Sequence, residues 1–217
     1  MSTLALMKLL ESAPKRYDAG IWLLTLGAIR DVGKRLAERI EGDQRVLDIG
    51  CGTGRLAILA AQRGACVKAI DINAHMLEIA HQRAEAARVA DRIAFVEQGV
   101  AELDGEPDES YDAVTCGLCL SELSRDEIRF TLKHVARILK RGGLFLIADE
   151  VPPRWRAARV LHSLIRLPLL AVTYLITQQT TRPVPHLTER LANAGFAIVA
   201  ERSGWRGSLC SVVARKP

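Results

Sequence analysis

Two aspartates and three glycines in the first third of the chain have the residue types and the spacing of a ligand site. Gly50, Gly52 and Gly54 follow the apolar run Val46–Ile49 and precede a helical pattern that continues to Arg63. Glycines at alternate positions let the backbone turn sharply and approach a ligand closely, because no Cβ intervenes. The free N–H groups at the start of the following helix then face a molecule bound over the loop.

The acid Asp48 lies two residues before the first glycine and restricts what the loop can bind. A carboxylate at this place repels a bound phosphate, but it can hold an amine or an ammonium group. The dinucleotide pattern G-x-G-x-x-G is not matched because Gly54 comes one place early, and no Gly-Lys-Ser/Thr follows for a P-loop. The loop therefore predicts a ligand other than a nucleotide phosphate, the alternative being a tight turn without a ligand.

A second acid, Asp71, lies at the end of the next predicted strand, which begins at Cys66. An acid at this position of a doubly wound fold accepts hydrogen bonds from the ribose hydroxyls of a bound nucleoside. Asn73 follows it and is placed to cap a helix over residues 74–88. The glycine loop and the two acids together indicate a cofactor that contains adenosine.

The pattern D-x-G-x-G-x-G, from Asp48 to Gly54, resembles motif I of the class I S-adenosylmethionine-dependent methyltransferases. The predicted strand Tyr111–Gly117 resembles the F-D-x-V strand of motif II, and L-K-R-G-G-x-x-x-I, from Leu139, is similar to the run that leads into the fifth strand of that family. The resemblance covers about residues 13–150. It implies S-adenosylmethionine as the cofactor, with S-adenosylhomocysteine as the product that remains after transfer.

Five predicted strands alternate with helices, which indicates an α/β fold with a doubly wound parallel sheet. These strands begin at residues 46, 66, 93, 111 and 144. Gly64 is predicted to end the helix 55–63, Ser124 and Glu127 to form a capping box for a helix over 125–139, and residues 141–143 to turn the chain into the fifth strand. The resemblance implies a Rossmann-like, seven-stranded sheet in the order 3-2-1-4-5-7-6, in which only strand 7 is antiparallel, with N-terminal helices and a helical insertion after strand 5. Ligands of such sheets bind at the C-terminal ends of the strands, near the point where the strand order reverses.

The 217 residues are enough for one domain with elaborations. We expect an N-terminal helical cap over residues 1–42, with helices over 4–12 and 20–41, and an S-adenosylmethionine-binding core over 43–151. An apolar and basic helical lid insertion is expected over 152–185, and the last helix and terminal strands of the same domain over 186–217.

The insertion and the residues after it are basic. Residues 151–217 contain ten Lys and Arg residues against only Glu189 and Glu201, whereas the net charge of the whole chain is +5. The helical segment 155–177 is interrupted at Pro168 and is apolar on all sides after it, so it must be buried in a substrate lid, a subunit interface or a lipid interface. It is too short to cross a bilayer.

The resemblance assigns cofactor-binding positions to several separate segments. The segment Ala13-Pro-Lys-Arg-Tyr-Asp18 is similar to the N-terminal segment of the quinone C-methyltransferases of the ubiquinone/menaquinone pathway. In that family a tyrosine closes over the cofactor, which implies this role for Tyr17; the alternative is that Tyr17 packs at a helix junction. The predicted cofactor-binding residues are Tyr17, Asp48, Gly50, Cys51, Gly52, Gly54, Asp71, Ile72, Met76, Gly99, Val100, Ala101, Cys116, Gly117 and Leu118.

The sequence departs from this family after the third strand. Gly99 is followed by Val100, where the family usually has an acid that binds the adenine amino group. We therefore expect adenine to be held by backbone groups around Val100 and Ala101, or by Glu102. The resemblance also places Met76 against the adenine ring, and residues 116–118 along the sulfonium end of the cofactor.

The implied chemistry is an in-line displacement at a sulfonium, which already activates the methyl group. The protein then has to align the nucleophile, the methyl carbon and the sulfur, and to exclude water. A catalytic base is required only when the acceptor carries a proton that must leave. The candidates for such a base, each of which could instead solvate a loop or cap a helix, are Tyr17, Glu122, Asp149 and Glu150.

The cysteines and the N-terminal residues indicate the cellular compartment. Five cysteines, with no second C-x-x-C beside Cys116 and Cys119, predict reduced and mostly buried thiols and no zinc site. The segment Met1–Lys8 lacks a basic start and a cleavage site, so no signal peptide is expected. We predict a cytoplasmic protein, with peripheral membrane contact as the alternative, and no metal.

The predicted function is methyl transfer to a small, hydrophobic acceptor, such as a quinone-like or lipid-like molecule. The apolar insertion follows strand 5, where small-molecule methyltransferases build their substrate lids, although 154–177 could instead contact a membrane surface or a protein. The chain also resembles small bacterial methyltransferases associated with corrinoid proteins, for which a protein partner is the alternative. Whether the protein forms an oligomer stays open.

Two further classes are less expected. A nucleic-acid methyltransferase would use the basic C-terminal third to hold phosphates. However, Cys116-Gly-Leu-Cys119 matches neither the N/D-P-P-Y/F nor the Pro-Cys pattern of such enzymes, so no nucleic-acid partner is expected. A non-enzymatic binder is disfavoured by the intact acids and glycines.

Overall fold

The protein has three layers, with a seven-stranded sheet between two layers of helices. A computed structural model describes residues 28–152, 183–204 and 209–217. The predicted position of Tyr17, the predicted helix 4–12 and the helical segment 155–177 lie outside the described residues. Within the part of the chain that is described, no helix is long and apolar enough to cross a membrane.

The sheet has the order β3-β2-β1-β4-β5-β7-β6. Neighbouring strands from β1 to β5 are parallel, and β7 is antiparallel to both β5 and β6. This topology confirms the predicted doubly wound sheet and its antiparallel seventh strand. The strands are β1 (Arg45–Ile49), β2 (Cys66–Asp71), β3 (Ile93–Glu97), β4 (Tyr111–Gly117), β5 (Leu139–Glu150), β6 (Ala197–Gly204) and β7 (Leu209–Arg215).

Helices cover both faces of the sheet. The helices are α1 (Ala28–Ala37), α2 (Arg55–Gln62), α3 (Ala74–Ala86), α4 (Arg125–Ile138) and α5 (Leu187–Asn193). The first three pack their apolar side chains into one hydrophobic core, and α4 and α5 pack into the other. Strands β1 and β4 are buried along nearly their whole length, and most of their residues are apolar, as is typical of parallel strands that are covered on both faces.

Local sequence signals set the helix boundaries. Asn73 begins α3 by accepting hydrogen bonds from the N–H groups of His75 and Met76, and Ser124 and Glu127 form the predicted capping box of α4. Gly64 follows α2 with φ of 95°, as predicted for a left-handed residue that ends a helix. Each signal acts within one helical turn, so the sequence is sufficient to predict it.

Two predicted boundaries differ from the structure. The helix predicted to reach residue 41 ends at Ala37, and turns follow it. Strand β5 begins at Leu139, whereas a turn was predicted over 141–143 and a strand only from 144. Distant partners extend the strand: Leu139 pairs with Tyr111 on β4, and the Gly142 N–H donates to the carbonyl of Lys216 (2.9 Å). The five cysteines are thiols rather than disulfides, and all but Cys66, which is exposed, are at least partly buried, as predicted.

Candidate functional site

A cavity of about 590 Å³ lies at the C-terminal ends of the four adjacent strands β3, β2, β1 and β4. The strand order reverses between β1 and β4, which is where doubly wound sheets form their ligand crevice. Its volume is within the range of sites for small molecules and cofactors. The described lining residues are Ile49, Gly50, Gly52, Ile70, Asp71, Ile72, Asn73, Met76, Gln98, Gly99, Val100, Ala101, Glu102, Gly117, Leu118, Cys119, Glu122, Leu123 and Glu127.

The glycine loop between β1 and α2 forms one wall of this cavity. Gly50, Gly52 and Gly54 have φ values of 62°, 52° and 79°. The Cys51 N–H donates to the carbonyl of Ile70 (3.0 Å), and the Gly54 N–H donates to the carbonyl of Cys51 (2.9 Å). These bonds hold the loop against β2. As a result the first two glycines line the cavity, whereas Cys51 is buried and Gly54 begins α2.

The carboxylate of Asp71 is oriented from two sides. Its Oδ2 accepts the N–H of Gly52 (2.8 Å), and its Oδ1 accepts the N–H of Asn73 (2.9 Å). Each carboxylate oxygen can accept more than one hydrogen bond, and Asp71 lines the cavity. The carboxylate is therefore positioned by the glycine loop and by the start of α3, with capacity left for two ribose hydroxyls.

Asp48 lies behind the glycine loop rather than in the cavity lining. It is 1% exposed. Its Oδ2 accepts the N–H of Ala57 (3.0 Å), and its Oδ1 accepts the hydroxyl of Thr115 (2.6 Å). The oxygens that were predicted to hold an amine are thus engaged by the protein. In this structure Asp48 ties α2 and the loop to the neighbouring strand β4.

The ionisation of Asp48 provides a test of this buried arrangement. Burial raises the pKa of Asp48 from 3.8 to about 7, although the bonds from Thr115 and Ala57 act in the opposite direction. A carboxyl group whose pKa is higher in the folded state than in the unfolded state adds stability at low pH, and this contribution is lost as the pH rises through the folded-state pKa.

We expect the unfolding free energy of the wild type, relative to that of Asp48→Asn, to fall by a few kcal/mol as the pH rises from about 4 to about 8. Asparagine does not titrate, so the variant serves as the pH-independent reference. Urea unfolding of both proteins across this pH range measures the difference. A difference that does not change with pH contradicts the raised pKa of Asp48.

The wall after β3 carries the segment that lacks the usual adenine-binding acid. Residues 98–102 all line the cavity, and a 3₁₀ turn over Val100–Gly105 continues from them. Beside this wall, Ile72 is 74% exposed, and its Cγ2 lies close enough to Gly99 that a Cβ there would be 3.1 Å away. With Met76, this side chain offers an apolar surface to a planar ring.

The turn after β4 forms the opposite wall. Leu118 lines it with φ of 61°, a conformation that a leucine rarely adopts. The Leu118 N–H donates to the carbonyl of Ala148 (2.7 Å), and the Ser121 hydroxyl donates to the carbonyl of Leu118 (3.2 Å). Cys119 lies directly over Gly50. Cys116, which was predicted to line this end, is buried beneath it.

The base candidates are placed at different depths. Glu122 lines the cavity. Asp149 and Glu150, at the end of β5, are not among the described lining residues. Asp149 is fully buried and accepts the N–H groups of Ser121 (3.3 Å) and Glu150 (2.7 Å), and burial raises the pKa of Asp149 from 3.8 to about 7. Tyr17 lies outside the described residues.

The lining also includes residues that no cofactor motif singled out. Asn73 was predicted only as a helix cap, and Glu127 only as part of a capping box. Asn73 follows the end of β2 closely, and that position was the available signal, whereas Glu127 lies in the first turn of α4 and reaches the cavity only through the fold. For Cys119, the approach to Gly50 depends on the turn after β4, which carries no motif. The lining residues that were not predicted as cofactor-binding positions include Ile49, Ile70, Asn73, Gln98, Cys119, Leu123 and Glu127.

The cavity is acidic. Its lining contains Asp71, Glu102, Glu122 and Glu127, and none of its described lining residues is a lysine or an arginine. Such a lining attracts cations and repels phosphate groups. Within the described residues, no cluster of His, Cys, Asp and Glu could hold a metal ion.

The sheet order and the glycine loop after β1 define a class I methyltransferase fold. The comparisons with known proteins agree. A family model described as a methyltransferase domain matches residues 46–143. A ubiquinone/menaquinone biosynthesis C-methyltransferase of Bradyrhizobium sp. is 34% identical over 228 aligned positions, which cover 90% of this chain and 88% of that protein. The chain belongs to the class I S-adenosylmethionine-dependent methyltransferases, enzymes whose cofactor is S-adenosylmethionine.

Other similarities are shorter or more distant. A C-methyltransferase of the same name from Rhizobium rhizogenes is 33% identical over 142 residues, covering 62% of this chain and 54% of that protein. The chain thus spans about half the length of some of the curated relatives that it matches. Geranyl diphosphate C-methyltransferase from Streptomyces coelicolor, solved with Mg²⁺, geranyl diphosphate and S-adenosylhomocysteine, has a TM-score of 0.64 at 15% identity, covering 82% of this chain and 76% of that one. It shares the fold.

Proposed function

We propose that this protein transfers the methyl group of S-adenosylmethionine to a small, hydrophobic acceptor. The observation that carries the proposal is the composition of the cavity. It combines a carboxylate oriented for a ribose with an acidic lining that contains no described basic side chain. This combination suits a nucleoside that carries a sulfonium and an ammonium group, and it disfavours nucleotides with phosphate groups.

The positions of the lining residues support one orientation of the cofactor. We place the ribose on Asp71 and the adenine ring along residues 98–102, against the exposed side chain of Ile72. The methionine part then extends over Gly50 and Gly52 towards the turn after β4. This order follows the order of the strands, because β3, β2, β1 and β4 are neighbours.

The protein's own side chains mainly align the acceptor with the methyl group and exclude water. When bound, S-adenosylmethionine supplies a methyl group that the sulfonium already activates. Leu118 and Leu123 give the end of the cavity beside β4 an apolar surface that excludes water, and the bonds to Ala148 and Ser121 hold this turn in place. Glu122 lines the same end, so its carboxylate is the group we assign to accept a proton from an acceptor that must lose one.

Two lines of argument support a hydrophobic acceptor. By its name, the Bradyrhizobium relative acts in ubiquinone/menaquinone biosynthesis. The sequence adds the apolar segment Leu167–Ile176, which belongs to the insertion after strand 5. The contribution of this segment to acceptor binding is a prediction from sequence.

The proposal is tested by incubating the full chain with S-adenosylmethionine that carries a labelled methyl group and with a lipid extract of bacterial cells. We expect label in an organic-solvent-soluble product, and none when the protein is omitted. An aqueous metabolite extract serves as the matched alternative source of acceptors. Label only in the aqueous product contradicts a hydrophobic acceptor, and absence of both label and cofactor binding overturns the proposed function.

Removal of residues 155–177 should separate acceptor binding from cofactor binding. We expect the shortened protein to bind S-adenosylhomocysteine with nearly unchanged affinity, because the residues that we assign to the cofactor lie at the ends of β1 to β4 and in the turns that follow these strands. Transfer of label to the lipid extract should be lost. Calorimetry and the labelling assay measure the two quantities, and retained transfer contradicts a role of this segment in acceptor binding.

A further inference from the structure

The wall after β3 has one anionic side chain, that of Glu102. Its Oε1 accepts the N–H of Gly99 (3.0 Å), which closes a capping box at the start of the 3₁₀ turn. This bond holds the carboxylate at the cavity, which Glu102 lines. A carboxylate accepts hydrogen bonds at both oxygens, so Oε2 keeps acceptor capacity.

The other side chains of this wall do not offer an equivalent acceptor. Val100 and Ala101 are apolar. The amide nitrogen of Gln98 is directed to the carboxylate of Glu106 (3.2 Å) and to the carbonyl of Glu102 (3.4 Å). A nucleobase with an exocyclic amino group needs an acceptor where that group ends, and an ionised acceptor forms the stronger hydrogen bond.

We propose that Glu102 accepts a hydrogen bond from the 6-amino group of the cofactor's adenine and makes the site select the adenine base over its deaminated form. The inference rests on the proposed function, because it requires the ribose on Asp71 and the base along the β3 wall. A base with a carbonyl in place of the amino group would direct an oxygen at the Glu102 carboxylate. The resulting repulsion disfavours that base.

The chain contains a matched control for this residue. Glu127 is also the last member of a capping box: its Oε2 accepts the N–H of Ser124 (2.8 Å). It lines the same cavity, but at the wall after β4. Glutamine at either position keeps an oxygen for the cap. The pair Glu102→Gln and Glu127→Gln therefore differs in the wall that is changed and not in the chemistry of the change.

The experiment is a calorimetric titration of the full chain with S-adenosylhomocysteine and with its deaminated analogue, S-inosylhomocysteine. The wild type should prefer the adenosyl ligand by about tenfold or more, the scale of one hydrogen bond to a charged group. Glu102→Gln should abolish or reverse this preference, because an amide whose oxygen caps Gly99 turns its NH2 group to the base, and that group donates to a carbonyl but cannot accept from an amino group. Glu127→Gln should keep the wild-type preference.

The ratio of two affinities measured on one protein sample does not depend on its folded fraction, so partial unfolding of a variant does not imitate the result. A wild-type ratio in Glu102→Gln, or an equal loss in Glu127→Gln, overturns the assignment of Glu102 and leaves cofactor binding intact. If the wild type binds neither ligand, the proposed function falls and this inference falls with it.

Discussion

Replacing Asp71 with alanine is expected to weaken the binding of S-adenosylhomocysteine by about 100-fold or more. Two hydrogen bonds from ribose hydroxyls to a carboxylate stabilise a complex by about 3 kcal/mol together, which corresponds to that factor. The same carboxylate also accepts the N–H groups of Gly52 and Asn73. Its removal therefore releases the glycine loop from the start of α3 as well, and the loss should not fall below this estimate.

Isothermal titration calorimetry measures this effect directly. Asp71→Asn provides an intermediate: its side-chain oxygen can accept one of the two backbone N–H groups, so its affinity should lie between those of the wild type and the alanine variant. Asp91→Ala is the control, because Asp91 is an exposed carboxylate before β3 and is not a lining residue. Unchanged affinity in Asp71→Ala would remove the ribose assignment and with it the cofactor orientation.

Gly50→Ala is expected to lower the unfolding free energy by about 2–5 kcal/mol. Gly50 has φ of 62°, and a side chain in this left-handed region costs about 1–2 kcal/mol. In addition, a Cβ at this position would lie 2.5 Å from the Sγ and 2.6 Å from the Cβ of Cys119. Relief of that overlap requires a shift of the turn after β4, and overpacking of this kind costs about 1–3 kcal/mol.

Gly52→Ala separates the two contributions. Gly52 has a similar φ of 52°, but a Cβ there meets no atom of the described residues within 4 Å. We expect this variant to lose only the backbone contribution of about 1–2 kcal/mol. Because Gly52 lines the cavity, its new methyl group should still impair cofactor binding. Urea unfolding of both variants decides the question, and equal losses would contradict the close contact between Gly50 and Cys119.

The two predictions concern residues that differ in how far the sequence determines them. Asp71 and Gly50 were both predicted as site residues from the spacing of acids and glycines. The reason that Gly50 tolerates no Cβ is a contact with Cys119, which lies in a different turn and carries no motif of its own. The motif thus predicts which residues matter, and the packing of distant turns explains why.

For Asp48 the motif and the tertiary structure lead to different roles. Its position before the glycines predicted a group that could bind an amine. The structure directs both of its oxygens to the protein, one to α2 and one to Thr115 on β4. Thr115 is 67 residues away in sequence, and it becomes a neighbour only because β4 pairs with β1. No local pattern carries that information.

By itself the sequence determined the alternation of strands and helices, the helix caps at Asn73 and Ser124, the glycine loop and the acid at the end of β2. These features depend on residues within one or two turns of each other, or on a motif that is continuous along the chain. The tertiary structure alone decided which further side chains join them in the cavity lining, where β5 begins, that the carboxylate of Asp48 binds the protein instead of lining the cavity, and that Cys119 covers Gly50. Those outcomes depend on which strand ends become neighbours, and that order is a property of the assembled sheet.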